Sequence, residues 1–203
     1  MIITEITPYD KKRSKVLTDE GLAFLLYNGE LRRLGLRVDK ELTQETYNDK
    51  IIPIFLKRAR ERLVYILKMS DKSEGELRKK LTAGFYPQIV IDASIEWAKS
   101  KHYVDDERYV ENYIECYGRR KSNKKIMYDL TLKGIPKELI SNTLEEKPID
   151  EDVQIIKELH KKKFIPGETD NDTTRKIMAS LARKGYSYEA IRRNLKADID
   201  QDY

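Results

Sequence analysis

Few side chains of the kinds that do enzyme chemistry occur in this 203-residue chain, and their spacing does not suit it. His102 and His160 are the only histidines and Cys116 the only cysteine, and their separations match no zinc-ligand pattern. The nine glycines are dispersed, and none opens a Walker or dinucleotide loop. Asp105, Asp106 and Glu107 form an acidic cluster that invites a metal or acid–base role. Three acids where a helix begins are, however, what the positive end of its dipole selects, so the cluster reads as capping. Neither an enzyme activity, a metal nor a cofactor is expected.

The chemistry that remains is charge. Lys57, Arg58, Arg60 and Arg62 fall on one predicted helix and Arg78, Lys79 and Lys80 on the next. A further run, Arg119, Arg120, Lys121, Lys124 and Lys125, marks the join of two helices. Residues 51–104 hold 11 Lys and Arg against 6 Asp and Glu, and the other segments balance, so the whole excess of +5 lies there. Such runs neutralise phosphates. Any one of them also reads as a solvated helix face beside acids such as Glu61 and Asp129. Together they predict a weak, sequence-independent attraction to nucleic acid or to an acidic protein surface. Tyr109, Tyr113 and Tyr117 recur every fourth residue beside Val110 and Ile114. Base stacking on that ladder is one reading; core packing, which the width of the stripe suits, is preferred. Trp97, between Ile95 and Ala98, reads as a packing anchor.

These residues need helices to hold them, and the chain repeats its helical pattern. Gly84, Gly134 and Gly185 lie about fifty residues apart, each closing an amphipathic stretch. Ile126 and Leu130 stand eight and four residues before Gly134, as Ile177 and Leu181 do before Gly185, which is one helix face ending in a residue of positive φ. In the first copy Leu77 and Leu81 are seven and three before Gly84, as if one residue were missing. Pro87, Pro136 and Ser187 open a second helix each time. Its inner face is expected to carry Ile89, Val90 and Trp97, then Leu139, Ile140 and Leu144, then Ala190, Ile191 and Leu195. Longer helices, residues 54–69, 105–120 and 150–163, precede each pair. Units of this period cannot bury their apolar faces alone, so an extended stack is expected.

The first fifty residues differ. Ile2, Thr4 and Ile6 alternate with Ile3, Glu5 and Thr7, and Asp19, Glu20 and Gly21 form a turn before the apolar run from Leu22 to Tyr27. These are short strands, too few to stand alone, so they must pack on the first repeat or stay mobile. Residues 28–40 predict a short helix broken at Gly35, and Thr43 caps a helix running toward Pro53. With 37% charged and 39% hydrophobic residues, no long apolar run and no basic leader, the chain is expected to be a cytosolic protein without membrane contact. A single cysteine agrees with a reducing compartment.

Three stretches carry a family likeness: residues 73–81 (Ser73, Glu76, Leu77), then 97–102, then 103–110 (Tyr103, Asp105, Asp106, Tyr109). They resemble the RecX regulatory proteins of bacteria, in which a Ser-x-x-Glu-Leu segment precedes a Gly-Tyr-Leu-Asp-Asp-x-x-Tyr-Ala segment. Lys133-Gly134-Ile135 and Lys184-Gly185-Tyr186 fit as well. The departures are the short Ala83-Gly84 step, Lys101-His102 where Lys-Gly is common, and Val110 in place of alanine. The resemblance implies a mainly α protein: three tandem three-helix repeats (51–104, 105–147 and 148–203) forming an elongated curved rod, preceded by a small N-terminal β-hairpin or strand region (1–50). It further implies a monomeric modulator of the RecA recombinase that lies in the groove of the filament on single-stranded DNA and suppresses ATP hydrolysis, filament growth and strand exchange. That places it in recombination, DNA repair and the SOS response. All twelve basic residues named above are candidate contacts to filament or to single- or double-stranded DNA. The residues by themselves also admit a free-standing nucleic-acid-binding repeat protein, or a helical scaffold for an unrelated protein.

Overall fold

The computed structural model describes residues 1–196, so the end of the third expected repeat, 197–203, lies outside the described residues. The chain divides into two compact units, Met1–Asp105 and a second beginning at Asp106.

In the first unit, strands β1 (Ile3–Pro8), β2 (Arg13–Thr18) and β3 (Ala23–Tyr27) form an antiparallel sheet in sequence order. Val16 pairs with Ile6 on one side and Phe24 on the other. In β2, Ser14, Val16 and Thr18 are buried, the period-2 alternation of a strand with one covered face. The cover comes from the helices. Helix α1 (Asn28–Leu34) ends at Gly35, and Thr43 caps α2 (Gln44–Thr46), accepting from the Thr46 N–H at 3.1 Å. The backbone then continues through a π turn (Tyr47–Ile51) into α3 (Ile52–Met69). That wide turn immediately precedes Pro53, which has no N–H to donate and whose ring crowds the carbonyl four residues back. Phe55, Ala59 and Leu63 form the buried face of α3. Phe55 meets Phe24 of the sheet edge-on at 5.7 Å, and the face packs along α5 (Gln88–Ser100). Helix α4 (Glu74–Thr82) adds Leu77 and Leu81 to the same core, so the N-terminal strands share one hydrophobic interior with the helices after them.

The second unit holds α6 (Asp106–Tyr117), α7 (Asn123–Leu132) and α8 (Lys137–Glu146) around Val110, Ile114, Ile126, Leu130, Ile135 and Ile140. A separate cluster of Ile155, Leu159, Phe164, Ile177, Leu181 and Ile191 gathers α9 (Glu151–Lys161), α10 (Asn171–Arg183) and α11 (Tyr188–Lys196). Polar bonds join the two clusters. Ser122 caps α7 and its Oγ donates to Lys184 O at 2.8 Å, while Gln154 donates to Gly118 O at 2.6 Å and accepts from the Tyr186 hydroxyl at 2.8 Å.

Helix ends correct the register expected for the first repeat. Gly134 (φ 85°) and Gly185 (φ 95°) are left-handed, but the left-handed residue after α4 is Phe85 (φ 58°), not Gly84. The following amide closes the same bond each time: Tyr86 N–H to Leu81 O, Ile135 to Leu130 O and Tyr186 to Leu181 O, at 3.2–3.4 Å. Leu77 and Leu81 therefore stand eight and four residues before Phe85, and no residue is missing. His102 (φ 55°) and Lys163 (φ 54°) end α5 and α9 in the same way. Expected inner positions on α5 and α6 are also corrected. Ile89 is 63% exposed, because the face of α5 runs through Val90, Ile91, Ser94, Ile95 and Ala98. On α6, Val110 and Ile114 take the buried face and Tyr109 and Tyr113 pack half-buried against that cluster as expected, but Tyr117 is exposed.

Candidate functional site

Helical geometry separates basic residues that are close in sequence. On α3, Arg58 turns back to the N-terminal region, pairing with Glu30 and lying over the Tyr27 ring at 4.3 Å. Arg60 sits over Trp97 at 5.3 Å. Lys57 and Arg62 remain exposed. On α4, Arg78 bridges Glu74 at 2.7 Å and Asp92 of α5 at 2.5 Å. Its hydrogen bond to Asp92 leads the causes that raise the guanidinium pKa. Lys79 and Lys80 are exposed on the same helix. Of the seven candidate cations of the first unit, Arg58, Arg60 and Arg78 thus point to different partners.

The run of the second unit is more concentrated. Ser122 starts α7, so residues 119–121 form the corner from α6 and 124–125 the first turn of α7. Asp129, one turn further on, collects Lys121 and Lys125, each at 2.8 Å, and the Tyr113 hydroxyl at 3.1 Å. Partial burial pushes its carboxyl up, but hydrogen bonds from Lys121, Lys125 and Tyr113 outweigh it and hold the pKa at about 2. The Lys121 ammonium also lies over Tyr113 and Tyr117, 5.0 and 4.3 Å from their centroids, and those rings meet tilted by 39° with centroids 4.5 Å apart. Arg119, Arg120 and Lys124 are exposed and make no ion pair among the described residues. Tyr117 and Tyr128 expose ring surface beside them. Unpaired cations beside exposed rings can attract phosphates and offer a stacking face.

Asp129 is recognisable in the sequence as a nearby acid, and it claims two of the five cations of that run. Glu74, four residues before Arg78 on the same helix, is legible as its partner, whereas Asp92 and the partners of Arg58 and Arg60 lie on other elements and left no signal in the spacing. No group of three or more potential metal-binding side chains occurs among the described residues, and no described helix is long and apolar enough to cross a membrane.

A small antiparallel sheet precedes three-helix domains whose helices end in left-handed residues, and known proteins share that organisation. The model for the second three-helix domain of RecX matches residues 105–144, and that for the third matches 150–195. Regulatory protein RecX of Clostridium beijerinckii is 27% identical over 97% of this chain and 96% of its own length. That of Caldanaerobacter subterraneus subsp. tengcongensis is 28% identical over 96% of this chain and 98% of its own. A crystal structure of regulatory protein RecX, 20% identical, superposes with a TM-score of 0.62, covering 95% of this chain and 98% of that one. RecX from Lactobacillus salivarius, 19% identical, gives 0.62 over 71% and 96%. The chain is thus similar to RecX proteins along almost its whole length, and two RecX domain models match within it.

Proposed function

We propose that this protein regulates the RecA recombinase without catalysing a reaction itself, by binding the filament on single-stranded DNA in the cytosol and suppressing ATP hydrolysis, filament growth and strand exchange. The observation that carries the reading is the match to regulatory RecX proteins along almost the entire chain. Within the four-part division of the sequence (1–50, 51–104, 105–147 and 148–203), the contact surface is drawn from the cations that internal carboxylates do not claim. Lys57, Arg62, Lys80, Arg119, Arg120 and Lys124 are the leading contacts, while Arg58, Arg78, Lys121 and Lys125 serve mainly to hold the fold. DNA contact is best supported beside Tyr117 and Tyr128, where exposed rings adjoin unpaired cations. A body of tandem domains gains avidity on a regular lattice, so inhibition is expected well below one molecule per protomer. Titration into preformed cognate RecA filaments, with ATP hydrolysis and strand exchange recorded together, tests the reading. Unchanged rates at equimolar protein refute it.

A further inference from the structure

One face of α3 is lined by residues three and four apart: Pro53, Leu56, Lys57, Arg60, Glu61 and Val64. With Trp97 of α5 they enclose an open groove of about 630 Å³. From Pro53 to Val64 the stripe spans about 16 Å, or three helical turns. Its floor is apolar: Pro53, Leu56, Val64 and the half-buried Trp97 ring.

Arg60 is the anomaly in this groove. The guanidinium lies over Trp97, yet its Nε is covered and has no hydrogen-bond partner. Arg58 and Arg78 both have carboxylate partners, whereas Arg60 makes no ion pair among the described residues. Covering Nε without an acceptor costs free energy, and a carboxylate brought by another molecule to the partly exposed guanidinium offsets it. Lys57 reinforces the demand for negative charge, as does the surplus of basic residues in 51–104. Glu61 on the rim disfavours a run of phosphates, and an apolar floor of this length suits the side chains of a helix better than a nucleic-acid backbone.

We propose that the groove between α3 and Trp97 is a docking site for an acidic amphipathic helix of a partner protein. A carboxylate of that helix accepts from the Arg60 guanidinium, and an aliphatic side chain one turn away covers the Trp97 ring.

Trp97 is the only tryptophan of the chain, so its emission reports the groove directly. The probe is a lactam-bridged three-turn peptide with leucines three and four apart flanked by glutamates, titrated into the full chain without recombinase, so the outcome is separate from the RecA reading. A saturable blue shift is expected. Arg60→Met, which keeps the apolar stem, is expected to weaken binding at least about tenfold. Glu61→Lys, a change at an exposed position, is expected to tighten it several-fold, and circular dichroism checks both folds. A lysine-for-glutamate peptide is expected not to bind. The proposal is overturned by no Trp97 response up to roughly 1 mM peptide, by equal affinity for the lysine peptide, by unchanged affinity in folded Arg60→Met, or by oligothymidylate giving the saturable Trp97 signal that the acidic peptide does not.

Discussion

Gly185→Ala probes the joint within the second unit, and its cost can be worked from the structure. Gly185 has φ 95°, outside the narrow left-handed basin open to L-residues, which costs about 1–2 kcal/mol for alanine. A methyl group there stands 2.6 Å from Ser122 Oγ, so the hydroxyl has to move. That hydroxyl accepts from Lys125 N–H at 3.3 Å, capping α7, and donates to Lys184 O at 2.8 Å. Losing the cap costs about 1 kcal/mol and losing the second bond about 1 more. The total is roughly 3 kcal/mol, since terms at one site do not add fully. Gly167→Ala is the internal control: φ is 78° but nothing lies within 4 Å of its added carbon, so only the backbone cost of about 1–2 kcal/mol is expected. Urea unfolding followed by far-ultraviolet circular dichroism compares the two. In a Ser122→Ala background the Gly185→Ala cost is expected to fall to that of Gly167→Ala, because the obstructing oxygen is gone. Equal costs for both alanine variants in the native background would refute the contact as the cause.

Further outcomes follow from single positions. Lys163 is an exposed non-glycine residue at φ 54°, so Lys163→Gly is expected to stabilise by about 0.5–1 kcal/mol in the same assay. Asp129, whose pKa is lowered from 3.8 to about 2, contributes stability that is present above the unfolded value and is lost as pH falls through the folded one. Asp129→Asn is therefore expected to cost about 1–2 kcal/mol at neutral pH, after allowance for partial exposure, and the gap to the native protein should close between pH 4 and pH 2 in acid titrations. Replacing Arg119, Arg120 and Lys124 together by Glu is expected to weaken binding to DNA or to the nucleoprotein filament and to flatten its salt dependence with helix content unchanged, and a preserved salt slope in fluorescence titrations would place the contact elsewhere.

Much of the architecture was written in local spacing. Thr43 as a cap, the leucines at 77, 81, 130 and 181, and glycines 134 and 185 in the left-handed position are each set by the few residues around them. A helix must bury a stripe three and four residues apart and must end where a residue can take positive φ, and both demands show in a sequence. The same logic slipped by one residue in the first repeat, where glycine marks the expected end but Phe85 bears the strain. Phe85 stays there while its ring meets Tyr9 at 5.9 Å and the Lys15 ammonium at 5.0 Å, contacts made by residues seventy and more positions away.

The candidate site divides along the same line. By itself the sequence determined which residues are cationic, which helices carry them, and that the segment 51–104 holds the excess. Only the tertiary structure decided which of those charges stay available. Arg58 is claimed by Glu30 from twenty-eight residues away, Arg78 by Asp92 of the next helix, and Lys121 and Lys125 by one carboxylate, whereas Arg60 reaches an aromatic ring and no acceptor at Nε. A charge count is a property of composition, but the partner of a charge depends on which helix faces are brought within about 4 Å, and that distance is set by the packing of the core.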